Sequence, residues 1–218
     1  AGAHMIQRID ADEIFAAFID EKLPFRTGLQ SVFEFLLDAQ REWTAGMPRG
    51  TRHDTEHLLA VALNVLQLIG SERFWGYSPT AKAVYGFSAL AHDSALRLGR
   101  SVHADKETLF KDFRTRFRGP IFQNWLRDPE LDALATIAAA HSGEHAIQAI
   151  AATDGGSRIM WGEPISLPEI VAVIRLADEF EEGVHRVDTT VVEQCIQEAQ
   201  QRARRGGPPR HCRTFAYH

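Results

Sequence analysis

The chain has 218 residues and a formal net charge of −5, with a sequence pI near 6.1. That length can bury a full core in one domain, and the mild acidity leaves no global basic footprint for binding nucleic acid by bulk electrostatics. Cys195 and Cys212 are too few and too widely spaced for a disulfide framework or a thiolate zinc site, and no apolar run approaches the ~20 residues that span a bilayer.

Helix signals dominate the chain, and the pattern predicts an all-α domain. The opening AGAH before Met5, residues 1–4, reads as a cloning scar, which leaves 5–218 as a single domain. Asp10 precedes ADEIFAAFIDEKL, whose acidic first turn suits a helix N-terminus and which Pro24 stops. A second amphipathic run covers 29–43 and closes in the loop AGMPRG. DTEHLLAVALNVLQLIG places Leu58, Val61, Ala62, Val65, Leu68 and Ile69 at helical spacing, with Gly70 as its C-cap. Ser78-Pro79 is an N-cap and first-turn pair that opens the helix expected to contain His92-Asp93. Helices are expected over 105–117 and 128–141. Residues 153–167 lack a pattern, and strand signals are sparse throughout. LPEIVAVIRLADEFEEG, 167–183, reads as a strongly apolar helix, and 188–205 as the last one. The absence of a signal-peptide pattern and the cysteine usage suit a reducing cytoplasm. The closing RHCRTFAYH mixes apolar and polar residues and is read as leading into a longer protein.

Polar residues on apolar faces are the informative feature. His57 shares a face with Val61, Val65 and Leu68, and Asp178 shares one with Val171 and Ile174. His92-Asp93 follow Val84, Tyr85, Phe87, Leu90 and Ala91, while His141 ends the stripe of Leu134, Ile137 and Ala138. Taken singly, each is read as a satisfied core residue, and Arg175 is a ready partner for Asp178. An unpaired buried carboxylate, however, is penalised by several kcal/mol, on the order of its desolvation cost. Together His57, His92, Asp93 and Asp178 supply two neutral nitrogen donors and two carboxylates, a set suited to Mn²⁺, Fe²⁺, Ni²⁺ or Co²⁺. His53, four residues before His57, is read as a supporting or surface residue. His145, His185, His211 and His218 are read as structural or solvent-facing, and RARRGGPPR as a solvated helix end.

The order His57 in HLLAVALNVLQLI, His92-Asp93 in ALAHDSA, and Asp178 in VIRLADEFE resembles the HD superfamily of metal-dependent phosphohydrolases, over roughly residues 50–185. The resemblance implies an HD-like helical bundle with the metal site between central helices. It also implies that His57, His92, Asp93 and Asp178 bind one divalent ion (Mn, Fe, Ni, Co or Mg), with Asp93 able to bridge to a second held by His103 and His141. Many members follow the dipeptide with a small residue, Gly and Lys, where this chain has Ser94-Ala95-Leu96. Some carry a His-His pair where this chain has His141-Ser142. Arg97, Arg100 or Lys106 are then the candidates for contacting phosphate, and Asp93 for orienting or deprotonating a bound water.

The expected activity is hydrolysis of a nucleotide or related phosphoester, with a small phosphorylated molecule as partner, nucleic acid not favoured and no membrane. Three rival readings remain: a module that binds metal and nucleotide as a sensor or docking domain, a diiron oxygenase, and a purely structural helical protein. Oligomeric state is open.

Overall fold

The computed structural model describes residues 10–21, 23, 26–44, 55–94, 104–119, 125–141, 146–152 and 156–181. Helix α1 spans Ala11–Phe18, and the Asp10 carboxylate accepts the Asp12 N–H at 2.8 Å. It stops well short of Pro24. Asp20 and Glu21 would place negative charge at the negative end of the helix dipole, and Phe18 and Ile19 turn into the core instead. Helix α2, Arg26–Thr44, starts three residues before the expected Leu29. Helix α3 is Thr55–Ile69, and Gly70, at φ 79°, both ends it and opens the short helix α4, Ser71–Gly76. The sequence pattern did not separate α4, which is too short to show a helical period.

Helix α5, Pro79–Ala91, opens as expected on Ser78, whose Oγ accepts the Ala81 N–H at 3.1 Å. Its residues are buried almost without interruption, and it packs against α1, α2 and α3. Gly86 permits the close approach of α1, since a Cβ there would lie 2.8 Å from Phe18 Cβ and Cγ. The helix does not contain His92-Asp93. It ends at Ala91, with His92 as its C-cap and the Ser94 Oγ donating to Ala91 O at 2.6 Å. That hydroxyl satisfies a terminal carbonyl and turns the chain.

Helix α6, Lys106–Arg116, is capped by Asp105 and lies along α7, Asp128–Ala140. At the start of α7 the Arg127 N–H donates to Glu130 Oε2 at 3.1 Å, so Glu130 reaches back to cap the turn. Helix α8 is Ala146–Ala151. The stretch expected to be unpatterned forms a hairpin of β1, Ser157–Met160, and β2, Glu163–Ser166, paired antiparallel with Ser157 opposite Ser166. Its two-residue turn, Trp161-Gly162, has φ values of 48° and 87°. A bulky residue in the left-handed region is uncommon. Here the Trp161 Nε1–H donates to Trp125 O at 2.6 Å, and its ring packs on Phe87 at 6.2 Å, which holds the conformation. The turn chemistry is not the usual Asn-Gly, and Pro164 interrupts the second strand, so the hairpin had no strong sequence signal.

Helix α9, Leu167–Phe180, follows directly with Pro168 in its first turn and ends three residues before the expected 183. It packs on α3, α5, α7 and α8, while α5 also meets α7, so α3, α5, α7 and α9 form the central layer. The architecture is an all-α bundle carrying one small hairpin. No helix among the described residues is long and apolar enough to cross a membrane.

Candidate metal centre

Four helix ends meet at one interior point. The first turn of α3 supplies His57. The C-terminal end of α5 supplies His92 and Asp93, that of α7 supplies His141, and that of α9 supplies Asp178 and Glu181. All are buried except Asp178, whose side chain keeps 23 % of its exposure.

Each imidazole is oriented by an acceptor on its Nδ1. The last carbonyls of a helix have no partner within the helix, and two of them serve here: Ala89 O lies 2.7 Å from His92 Nδ1, and Ala138 O lies 2.6 Å from His141 Nδ1. His57 stands in the first turn of α3, and the Glu181 carboxylate takes this role for it, with Oε2 at 2.7 Å from Nδ1. A carbonyl or carboxylate facing Nδ1 assigns the proton to that nitrogen. The three Nε2 lone pairs are thereby directed at one another and at two carboxylates.

The distances fit one ion. His57 Nε2 lies 3.3 Å from His92 Nε2, 3.1 Å from Asp93 Oδ2 and 3.4 Å from Asp178 Oδ1. His92 Nε2 lies 3.3 Å from Asp93 Oδ2 and 3.7 Å from Asp178 Oδ1. Donors bound at ~2.1 Å around one divalent ion stand roughly 3.0–3.4 Å apart in octahedral or tetrahedral geometry. The donor set also suits an ion chemically, since imidazole and carboxylate are ligands for Mn, Fe, Co, Ni and Zn. His57, His92 and Asp93 form one triad able to hold a metal, and His92, His141 and Asp178 a second. Both need the single Nε2 lone pair of His92, so they describe one shared centre. The other oxygen of Asp93, Oδ1, turns toward His141 Nε2 at 3.7 Å.

Electrostatics agree with this chemistry. Burial by itself would depress the His92 imidazole, yet the charge of Asp93 and the Asp178 carboxylate outweigh it and hold the group well above its ordinary pKa. His57 is raised in the same way: burial opposes, but Asp93 and Glu181 prevail. Burial would raise Asp178, and the His92 contact overrides it to hold that carboxyl well below the usual range. The cluster therefore favours positive charge at the Nε2 positions, as protons or as a cation.

Arg175 Nε bonds Glu179 Oε1 at 3.2 Å, while Asp178 Oδ1 faces the two imidazoles. Lys106 stands at the exposed start of α6 with Nζ 2.8 Å from Asp132 Oδ1. Asp132 is nine residues before His141, about 13 Å along the helix. Arg97, Arg100 and His103 lie outside the described residues, as do His53, His145, His185, His211, His218 and both cysteines. The sequence reading missed Glu181. Its signal was the spacing Asp178-x-x-Glu181, which puts two carboxylates on one helix face.

Comparison with curated proteins and with solved structures gives no significant match. A family model described as HD-CE matches residues 47–201, a span that holds every residue of the cluster. The matched span is more than half of the chain, and its mostly helical architecture is consistent with an HD-like bundle. The chain belongs to the HD-CE family, a family related to HD domains.

Proposed function

We propose that the chain is a divalent-metal-dependent phosphohydrolase acting on a nucleotide or related small phosphoester. The observation that carries the reading is the meeting of three oriented Nε2 atoms with Asp93 and Asp178 in a buried pocket of acceptors. His57, His92, Asp93 and Asp178 would hold one ion (Mn, Fe, Ni, Co or Mg). Asp93 Oδ1, His141 and His103 are the residues that could serve a second. When bound, the ion supplies a water of lowered pKa and a Lewis acid for the phosphoryl oxygen.

The remaining work falls to the chain's own groups. Asp93 keeps Oδ1 turned away from the His57-His92 side, where it can orient a water or accept its proton. His141, anchored through Nδ1, faces that same oxygen and can take the proton from it on Nε2. Arg97, Arg100 or Lys106 would neutralise phosphate charge, and Lys106 would first have to leave Asp132. That engagement, with Ser94-Ala95-Leu96 after the dipeptide, supports a second reading in which the domain binds metal and nucleotide without turnover.

Elemental analysis of the purified chain, followed by hydrolysis assays of nucleoside phosphates with Mn²⁺, Co²⁺ or Mg²⁺, tests both. The first reading expects stoichiometric metal and metal-dependent turnover, both lost in the double variant His92→Ala/Asp93→Ala. Metal and nucleotide binding without turnover selects the second. Unchanged turnover in the double variant refutes the metal centre, and iron-dependent O₂ consumption would reassign it to oxygen chemistry.

A further inference from the structure

The three histidines of the centre are not equivalent. His92 and His141 each follow the last residue of a helix, and each leans on a neutral carbonyl three residues earlier in its own chain segment. His57 leans on an ionisable side chain from a distant helix, the Glu181 carboxylate at 2.7 Å. Glu181 is itself buried, with 2 % of its side chain exposed, and its backbone N–H donates to Asp178 O at 3.1 Å. Asp178 and Glu181 thus hold the His57 ring from both sides, one oxygen on Nε2 and the other on Nδ1.

We propose that Glu181 is the positioning residue of this centre: it fixes the Nδ1–H tautomer of His57, aims its Nε2 at the ion, and makes His57 the strongest of the three imidazole donors. The inference rests on the reading that the cluster holds a divalent ion. Two physical consequences follow from the geometry. A carboxylate facing Nδ1–H draws that proton and pushes electron density onto Nε2, which a neutral carbonyl does more weakly. A buried carboxylate also adds a third negative charge beside Asp93 and Asp178. A divalent ion at Nε2 would offset that charge across the ring. Glu181 reaches the ion site through the His57 ring, so its effect is on metal affinity and on that ring.

The test uses the full chain, with Mn²⁺ and Co²⁺ as separate probes in calorimetric titrations of wild type, Glu181→Gln, Glu181→Ala and the exposed neighbour control Glu179→Gln. Glu181→Gln keeps an acceptor of the same shape and removes the charge, and it should weaken binding about 10-fold; Glu181→Ala should weaken it by up to ~100-fold. Glu179→Gln should bind like wild type. Long-range ¹H–¹⁵N spectra of the metal-free chain give a readout that packing alone would not move: the His57 proton should reside on Nδ1 in wild type and redistribute in Glu181→Ala. If Glu181→Ala does not fold, Glu181→Gln alone decides. Wild-type affinity in a folded Glu181→Gln overturns the role of Glu181 and leaves the metal centre standing. Wild type that takes up neither ion overturns the centre and this role with it.

Discussion

Replacing Gly86 with Ala should destabilise the chain by pushing α1 off α5. The added Cβ would stand 2.8 Å from both Cβ and Cγ of Phe18, where carbon atoms rest comfortably at about 3.5–4.0 Å. Phe18 has no room to yield. It is fully buried, its ring meets Phe74 edge-on at 5.5 Å, and its Cβ cannot rotate away from its own backbone. The relief must come from a shift of α1 by several tenths of an ångström or more, a strain in the upper part of the usual overpacking range, about 2–3 kcal/mol. Ala favours the helix over Gly by about 1 kcal/mol, so a net loss of about 1–2 kcal/mol remains. For a chain of this size that lowers the Tm by roughly 2–8 °C. Thermal unfolding followed by circular dichroism reads it directly. A Gly86→Ala protein as stable as wild type would show that α1 does not press on α5 in this way.

Ser78→Ala removes both the cap on α5 and the hydroxyl that donates to Glu163 Oε2 on the hairpin; denaturant unfolding should register a loss of about 1–2 kcal/mol. Ser88 is buried in α5 with no hydrogen-bond partner for its Oγ among the described residues, so Ser88→Ala should be neutral or stabilising by up to about 1 kcal/mol, and a clear loss of stability would contradict that. In metal-free protein the raised His57 and His92 contribute stability that is fully present below their ordinary pKa of 6.5 and is lost as pH rises through their higher folded values. Urea midpoints measured from pH 6 upward should therefore fall without metal. With saturating Mn²⁺ the trend should reverse, because protons compete for the same Nε2 atoms. Midpoints that ignore pH in both series would rule out proton–metal competition there.

The parts of the site that sequence exposed were those carried by periodicity. His57 and Asp178 could be placed on apolar helical faces because residues three and four positions away repeat with them, and the structure brings both to His92 and Asp93. Glu181 sits one position past the end of α9, after Phe180, in a run of acidic residues that reads as a solvated helix terminus. Its spacing three residues after Asp178 was the one hint, and its contact with a residue 124 positions away is what sets it apart from Glu179. The placement of His92 within a helix failed for a local reason: apolar residues continue to Ala91, but the helix bonding stops there because Ser94 caps it. The Trp161-Gly162 hairpin was hidden because tertiary contacts, rather than a turn-favouring dipeptide, hold its left-handed residue.

Three of the four helices that reach the centre, α5, α7 and α9, do so with their C-terminal ends. A helix carries roughly half a negative charge at that end, so backbone dipoles add to the carboxylates in making the pocket hostile to anions. Once His57 and His92 have lost their protons, a phosphate group entering the metal-free pocket would meet repulsion from both sources. Above that pH inorganic phosphate should accordingly bind only to the metal-loaded chain, and under the proposed function the ion would then govern substrate entry as well as chemistry.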